Sequence, residues 1–147
     1  MSYHHILVPI DGSDISFSAA KHAAQLAQKF DSKLTLISLV AEDPFNNTDF
    51  YYSSSIMKEY FVHAYANAQE ALSQARKAIE KYDLEPELKI VKGEVSAQHI
   101  VDTAKELNID LIVIGSHGRK GFQKMILGSF AQDVLAATEL PILVIKQ

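Results

Sequence analysis

A chain of 147 residues, 48% hydrophobic and 22% charged, has the size and composition of one globular domain, which disfavours a disordered tail or a fibrous repeat, and residues 1–147 read as a single unit. Fourteen basic against eighteen acidic residues give a formal charge of −4 with no basic run, so nucleic acid is a poor partner. Cysteine is absent, no apolar run reaches the roughly 20 residues of a membrane helix, and Met1–His5 does not open a signal sequence, so a cytoplasmic protein without membrane insertion is expected.

The first apolar run, His5–Ile10, reads as a strand that ends in the turn Asp11-Gly12-Ser13. Ser13 is placed as the N-cap of a helix whose inner face is Ala19, Ala20, Ala23, Ala24, Ala27 and Phe30. A second strand over Lys33–Val40 leads into a long connection, Ala41–Ser54, that carries Pro44, Phe45, Phe50, Tyr51 and Tyr52. Those aromatics suit either packing on the next helix, beside Tyr60 and Phe61, or a flap over a ligand. That helix shows Ile56, Tyr60, Ala64, Ala68, Ala71, Ala75 and Ile79 at helical spacing.

A third strand is expected at Leu88–Val91, then a helix capped by Ser96 with Ile100, Val101, Ala104 and Leu107 inward, then a fourth strand at Leu111–Ile114. After a glycine-spaced loop, Ser129 opens a last helix with Phe130, Val134 and Leu135, and Ile142–Ile145 forms the last strand. Strands alternating with helices, and apolar on both faces, imply an α/β fold: a five-stranded parallel sheet with helices on both sides. Right-handed crossovers favour the order 3-2-1-4-5, which puts a ligand crevice at the carboxyl ends of strands 1 and 4, where the Asp11 turn and the glycine loop meet. The last strand is then an apolar edge, suited to pairing with a second copy around a twofold axis.

The glycine loop is the segment that proposes chemistry. Gly115 and Gly118 flank a tight turn after a strand, and Gly128-Ser129 starts a helix whose first N–H groups and positive dipole end attract anions. Side chains at Gly118 or Gly128 would fill phosphate space and leave the fold intact. Arg119, Lys120 and Lys124 add positive charge, Arg119 foremost because its fork binds two phosphate oxygens. The alternative is that these glycines only permit a turn and close helix-to-strand contact. Neither the P-loop nor the Gly-x-Gly-x-x-Gly dinucleotide pattern occurs.

Gly-x-x-Gly-x9-Gly-Ser, met in full by Gly115, Gly118, Gly128 and Ser129, resembles the pattern of the ATP-binding branch of the universal stress protein family. The opening Ile6–Ser13 and the ending Pro141–Ile145 are similar to the family's first strand and turn and its last strand, so the resemblance spans the chain. It implies a Rossmann-like fold of this strand order, a homodimer through Ile142–Ile145, a stress-response or regulatory role read by an unidentified protein partner, and ATP, ADP or AMP as ligand, with or without Mg²⁺. By position it implies Asp11 near the base or ribose, Pro9 and Ile10 lining the pocket and Leu39 on the base. Ile114 and Gly115 would border the ribose and first phosphate, with Gly118, Gly128, Ser129 and the Phe130 backbone on the phosphates. Asp11 equally suits capping the turn into the first helix.

His117, between the motif glycines, is expected to be a spectator, because phosphoryl transfer needs a positioned nucleophile and metal-holding acids, and Asp11 is the one obvious carboxylate. His4, His5, His22, His63 and His99 show no zinc-like spacing. A phospho-receiver is excluded because the third strand ends Val91-Lys92-Gly93-Glu94 without an aspartate. Two other readings stand beside nucleotide sensing: a slow Mg²⁺-dependent ATPase, and a nucleotide-free interaction scaffold.

Overall fold

The structure is a computed structural model that describes residues 2–42, 55–118 and 127–146. The aromatics Phe45, Phe50, Tyr51 and Tyr52 with Pro44, and the cations Arg119, Lys120 and Lys124, lie outside the described residues.

The elements run β1 (His5–Pro9), α1 (Asp14–Phe30), β2 (Lys33–Ala41), α2 (Ser55–Ala78), a 3-10 turn (Glu80–Tyr82), β3 (Glu87–Gly93), α3 (Ala97–Glu106), β4 (Leu111–Gly115), α4 (Ser129–Ala137) and β5 (Ile142–Ile145). The sheet is five-stranded in the order β3-β2-β1-β4-β5, and every pair is parallel. Ile6, Leu7 and Val8 of the central strand are all fully buried, because helices cover both faces of the sheet. On one side the five alanines of α1 and Ala71, Leu72, Ala75 and Ile79 pack over Ile6, Val8, Leu34 and Leu36. On the other, Ile100 and Ala104 of α3 and Ala131 and Val134 of α4 cover Leu7, Ile37, Ile112 and Ile114. Small residues at every buried position of α1, Ser16 and five alanines, let it lie close against the sheet.

Ser13 and Ser96 cap their helices, each hydroxyl accepting an N–H three residues on, from Ser16 and His99 at 3.2 Å. Several details depart from expectation, among them Phe30, which ends α1 40% exposed and not on its inner face. Strand β1 closes at Pro9, one residue short of Ile10, although the Ile10 N–H still bonds Ile37 O at 2.7 Å. Strand β3 extends beyond Leu88–Val91 because it pairs with β2 from Glu87 to Gly93, and a half-exposed edge strand accepts Glu87 and Lys92 without losing its ladder. In α4 the buried face is Ala131 and Val134, leaving Leu135 51% and Phe130 37% exposed on either flank of it. Among the described residues no helix is long and apolar enough to cross a membrane.

Candidate functional site

A cavity of about 830 Å³ opens over the carboxyl ends of β2, β1 and β4, within the range of small-molecule sites. Pro9, Ile10 and Asp11 enter it from β1 and the turn after it, Leu39 from β2, Ile114, Gly115 and Gly118 from β4 and the loop after it, and Gly128, Ser129 and Phe130 from the start of α4. The topology accounts for this convergence, since β1 and β4 are neighbours whose connections leave in opposite directions along the sheet. Arg119, with Lys120 and Lys124, falls outside the described residues.

Asp11 uses one carboxylate oxygen for the turn and turns the other elsewhere. Its Oδ1 accepts from the Ser13 N–H at 2.9 Å and from the Ser13 hydroxyl at 2.5 Å, and the same hydroxyl accepts from Ser16 N–H. Gly12, at φ 83°, supplies the left-handed turn that brings these groups together. The Asp11 Oδ2 makes no such bond among the described residues and lies 2.7 Å from the point a Cβ on Gly118 would occupy. Asp11 therefore caps the turn and also presents an acceptor beside the glycine loop.

The two loop glycines answer different demands. Gly118 leaves room for the Asp11 carboxylate, whereas a Cβ on Gly128 would sit 3.0 Å from Ser116 O and 3.1 Å from His117 Cα and Cβ. Gly128 is thus glycine chiefly because α4 starts hard against the end of β4, where its own N–H bonds Ser116 O at 2.5 Å. That corrects the expectation that a side chain there would fill ligand space alone. Gly128 is also the residue at the N-cap position of α4 and brings no capping side chain, so the N–H groups of Ser129, Phe130 and Ala131 carry no protein hydrogen bond among the described residues. An anion placed there would meet free donors and the positive end of the helix dipole.

His117 lines the cavity beside that helix start, and its Nδ1 lies 2.9 Å from the hydroxyl of Ser116, a residue only 1% exposed.

Sequence reasoning missed the wall opposite. Ser38 of β2, Val95 before α3, and Tyr60, His63, Ala64, Asn67, Ala68 and Ala71 of α2 also line the cavity. Ala64 and Ala68 belong to the helically spaced stripe of α2, whose part from Ala71 onward is packed into the cluster over the sheet. Residues of α2 flanking a run of small side chains, His63 and Asn67, were the available signal. Asp11 is the one carboxylate among the described lining residues, and no group of three potential metal ligands occurs among the described residues.

Comparison with known proteins agrees with this architecture. The sequence profile described as the Universal stress protein family matches residues 2–146. A universal stress protein of Methanocaldococcus jannaschii is 34% identical over 145 residues, covering 99% of this chain and 83% of the relative. The solved universal stress protein UspA from Lactobacillus plantarum superposes with a TM-score of 0.82 at 26% identity over 99% of both chains. The universal stress protein from Archaeoglobus fulgidus, solved in complex with dAMP, gives a TM-score of 0.74 at 26% identity, over 99% of this chain and 100% of that one.

Proposed function

The chain belongs to the universal stress protein family, and from that premise we propose that its cavity binds an adenine nucleotide, with phosphates at the start of α4, ribose at Asp11 and base at the end of β2. The observation that carries this reading is the pairing of the Asp11 Oδ2, which stands close over Gly118, with the N–H groups of α4 that are unbonded among the described residues, all in one cavity. The relative from Archaeoglobus fulgidus, with its bound dAMP, supports the choice of ligand class. Backbone donors and a helix terminus hold phosphate oxygens, and a carboxylate suits ribose hydroxyls. ATP, ADP and AMP share these features, and Mg²⁺ would come with the phosphates, since the single carboxylate among the described lining residues is too little to cage it.

Among the described lining residues the same scarcity of acids favours binding over hydrolysis, and membership of the family supports a nucleotide-responsive module in the stress response. Strand β5 is the sheet edge beyond β4, with Leu143 36% exposed, and it supports a homodimer formed by pairing of β5 with its twofold mate. The test is calorimetric titration of ATP, ADP and AMP, with and without Mg²⁺, into protein refolded free of nucleotide. Saturable binding near one site per chain is expected. No heat at any temperature, with refolding verified, refutes the reading and leaves the interaction scaffold.

A further inference from the structure

One polar group of the cavity takes no part in the sites already described. Ser38 is 6% exposed and lines the cavity, yet its hydroxyl has no hydrogen-bond partner among the described residues. Alternation along β2 fixes its side: Ile37 belongs to the cluster under α3 and α4 and Leu39 packs against that cluster, so Ser38 faces the α1 and α2 side with Leu36. At the level of Leu36 that side is filled, since Leu36 and Leu72 are members of one packed cluster. One step further along β2 the side chains shrink to Ser38 below and Ala64 and Ala68 above, and the core gives way to cavity. An apolar residue would serve packing better at such a place, and a hydroxyl that opens onto the cavity with no protein partner among the described residues is available to a ligand.

The order of the strands says which part of a ligand comes there. From the glycine loop on β4, past Asp11 on β1, to Ser38 on β2 is two strand spacings, about 10 Å. A nucleotide whose phosphates lie at α4 and whose ribose lies at Asp11 therefore brings its base to the end of β2. We propose that the Ser38 hydroxyl is a specificity-determining group that hydrogen-bonds an edge atom of the purine base. This inference rests on the nucleotide reading above. A hydroxyl both donates and accepts, so it can meet a ring nitrogen or the exocyclic amine.

The experiment measures the affinity of wild type, Ser38→Ala and Ser38→Thr for AMP and for analogues that each lack one edge group: purine riboside 5′-monophosphate and the 1-deaza, 3-deaza and 7-deaza forms of AMP. Wild type should bind one analogue about tenfold more weakly than AMP, the loss of a single hydrogen bond. Ser38→Ala should bind AMP and that analogue equally, Ser38→Thr should restore the preference, and the melting temperature of ligand-free Ser38→Ala should be unchanged or raised. The same analogue preferences in wild type and Ser38→Ala overturn the inference while leaving nucleotide binding intact. A uniform loss for all ligands together with a lowered melting temperature also overturns it, as a packing effect. Failure of wild type to bind AMP at all removes the nucleotide reading and this inference with it.

Discussion

Alanine at Gly118 and alanine at Gly128 separate the ligand site from the scaffold that carries it. A Cβ on Gly118 would lie 2.7 Å from Asp11 Oδ2, so the carboxylate must move by several tenths of an ångström, while its Oδ1 is tied to Ser13 by bonds of 2.9 and 2.5 Å. Asp11 is exposed, and weakening those two bonds should lower the unfolding free energy by no more than about 1 kcal/mol. Binding of AMP should fall about 10- to 100-fold, because the displaced oxygen is the one assigned to the ribose and each tenfold is about 1.4 kcal/mol. At Gly128 the Cβ meets backbone, Ser116 O at 3.0 Å and His117 Cα at 3.1 Å, and α4 itself must shift. Overpacking of that kind should cost about 1–3 kcal/mol of stability as well as binding. Urea unfolding and calorimetry on both variants and on Asp11→Ala measure these effects. In the Asp11→Ala background Gly118→Ala should cost no further affinity, since the group it displaces is gone. Wild-type affinity in Gly118→Ala, or full additivity with Asp11→Ala, would show that no ligand contact runs through this pair.

At the opposite end of the sheet, Asp110 accepts from the His4 N–H at 2.8 Å and the His5 N–H at 3.0 Å, joining the start of β4 to the start of β1. Burial raises its pKa, but the bonds from His4 and His5 outweigh that and hold it below 3.8. Its stabilisation is therefore complete above the unfolded value and lost as pH falls through the lower folded one. Asp110→Asn should lose about 1 kcal/mol near neutrality, and the difference in urea midpoint should vanish in acid below that range; a gap that persists there is the contrary result. Ala68→Phe, which projects a ring into the cavity from α2, should abolish AMP binding in calorimetry with the circular dichroism spectrum retained, whereas unaltered affinity would mean the ligand does not reach α2. Leu143→Glu on the β5 edge should shift sedimentation from dimer to monomer, and an unshifted dimer would place the interface elsewhere.

The fold was legible where burial is complete. Residues 6–8 and 111–114 are apolar on both faces because both faces are covered, and such runs between helical spacings admit few arrangements other than a parallel sheet. Legibility falls off at the margins. Strand β3 has one partner and half-exposed side chains, so Glu87 and Lys92 do not mark its ends. Helix α4 has nine residues, too few to fix the centre of its inner face, and Leu135 was read as inward although it stands exposed. Ala64 and Ala68 show the deeper difficulty. Periodicity tells which residues share a face of α2, but the same face leaves the core and becomes cavity wall partway along, and only the opposing side chains on β2 say where.

The glycine motif carries a related ambiguity, with consequences for how it is tested. Spaced glycines announce that backbone must approach something closely, and the spacing is silent on what is approached. Here Gly118 stands over a carboxylate, Gly115 over the Ile15 side chain at 3.1 Å, and Gly128 over the backbone of its own β4 loop. Two of the three are thus held to glycine by the joining of helices to β4, whatever occupies the cavity. A mutational scan of the motif read by binding alone would credit all three with ligand contacts. Read with stability alongside, it should isolate Gly118 as the position where affinity falls while the fold stands.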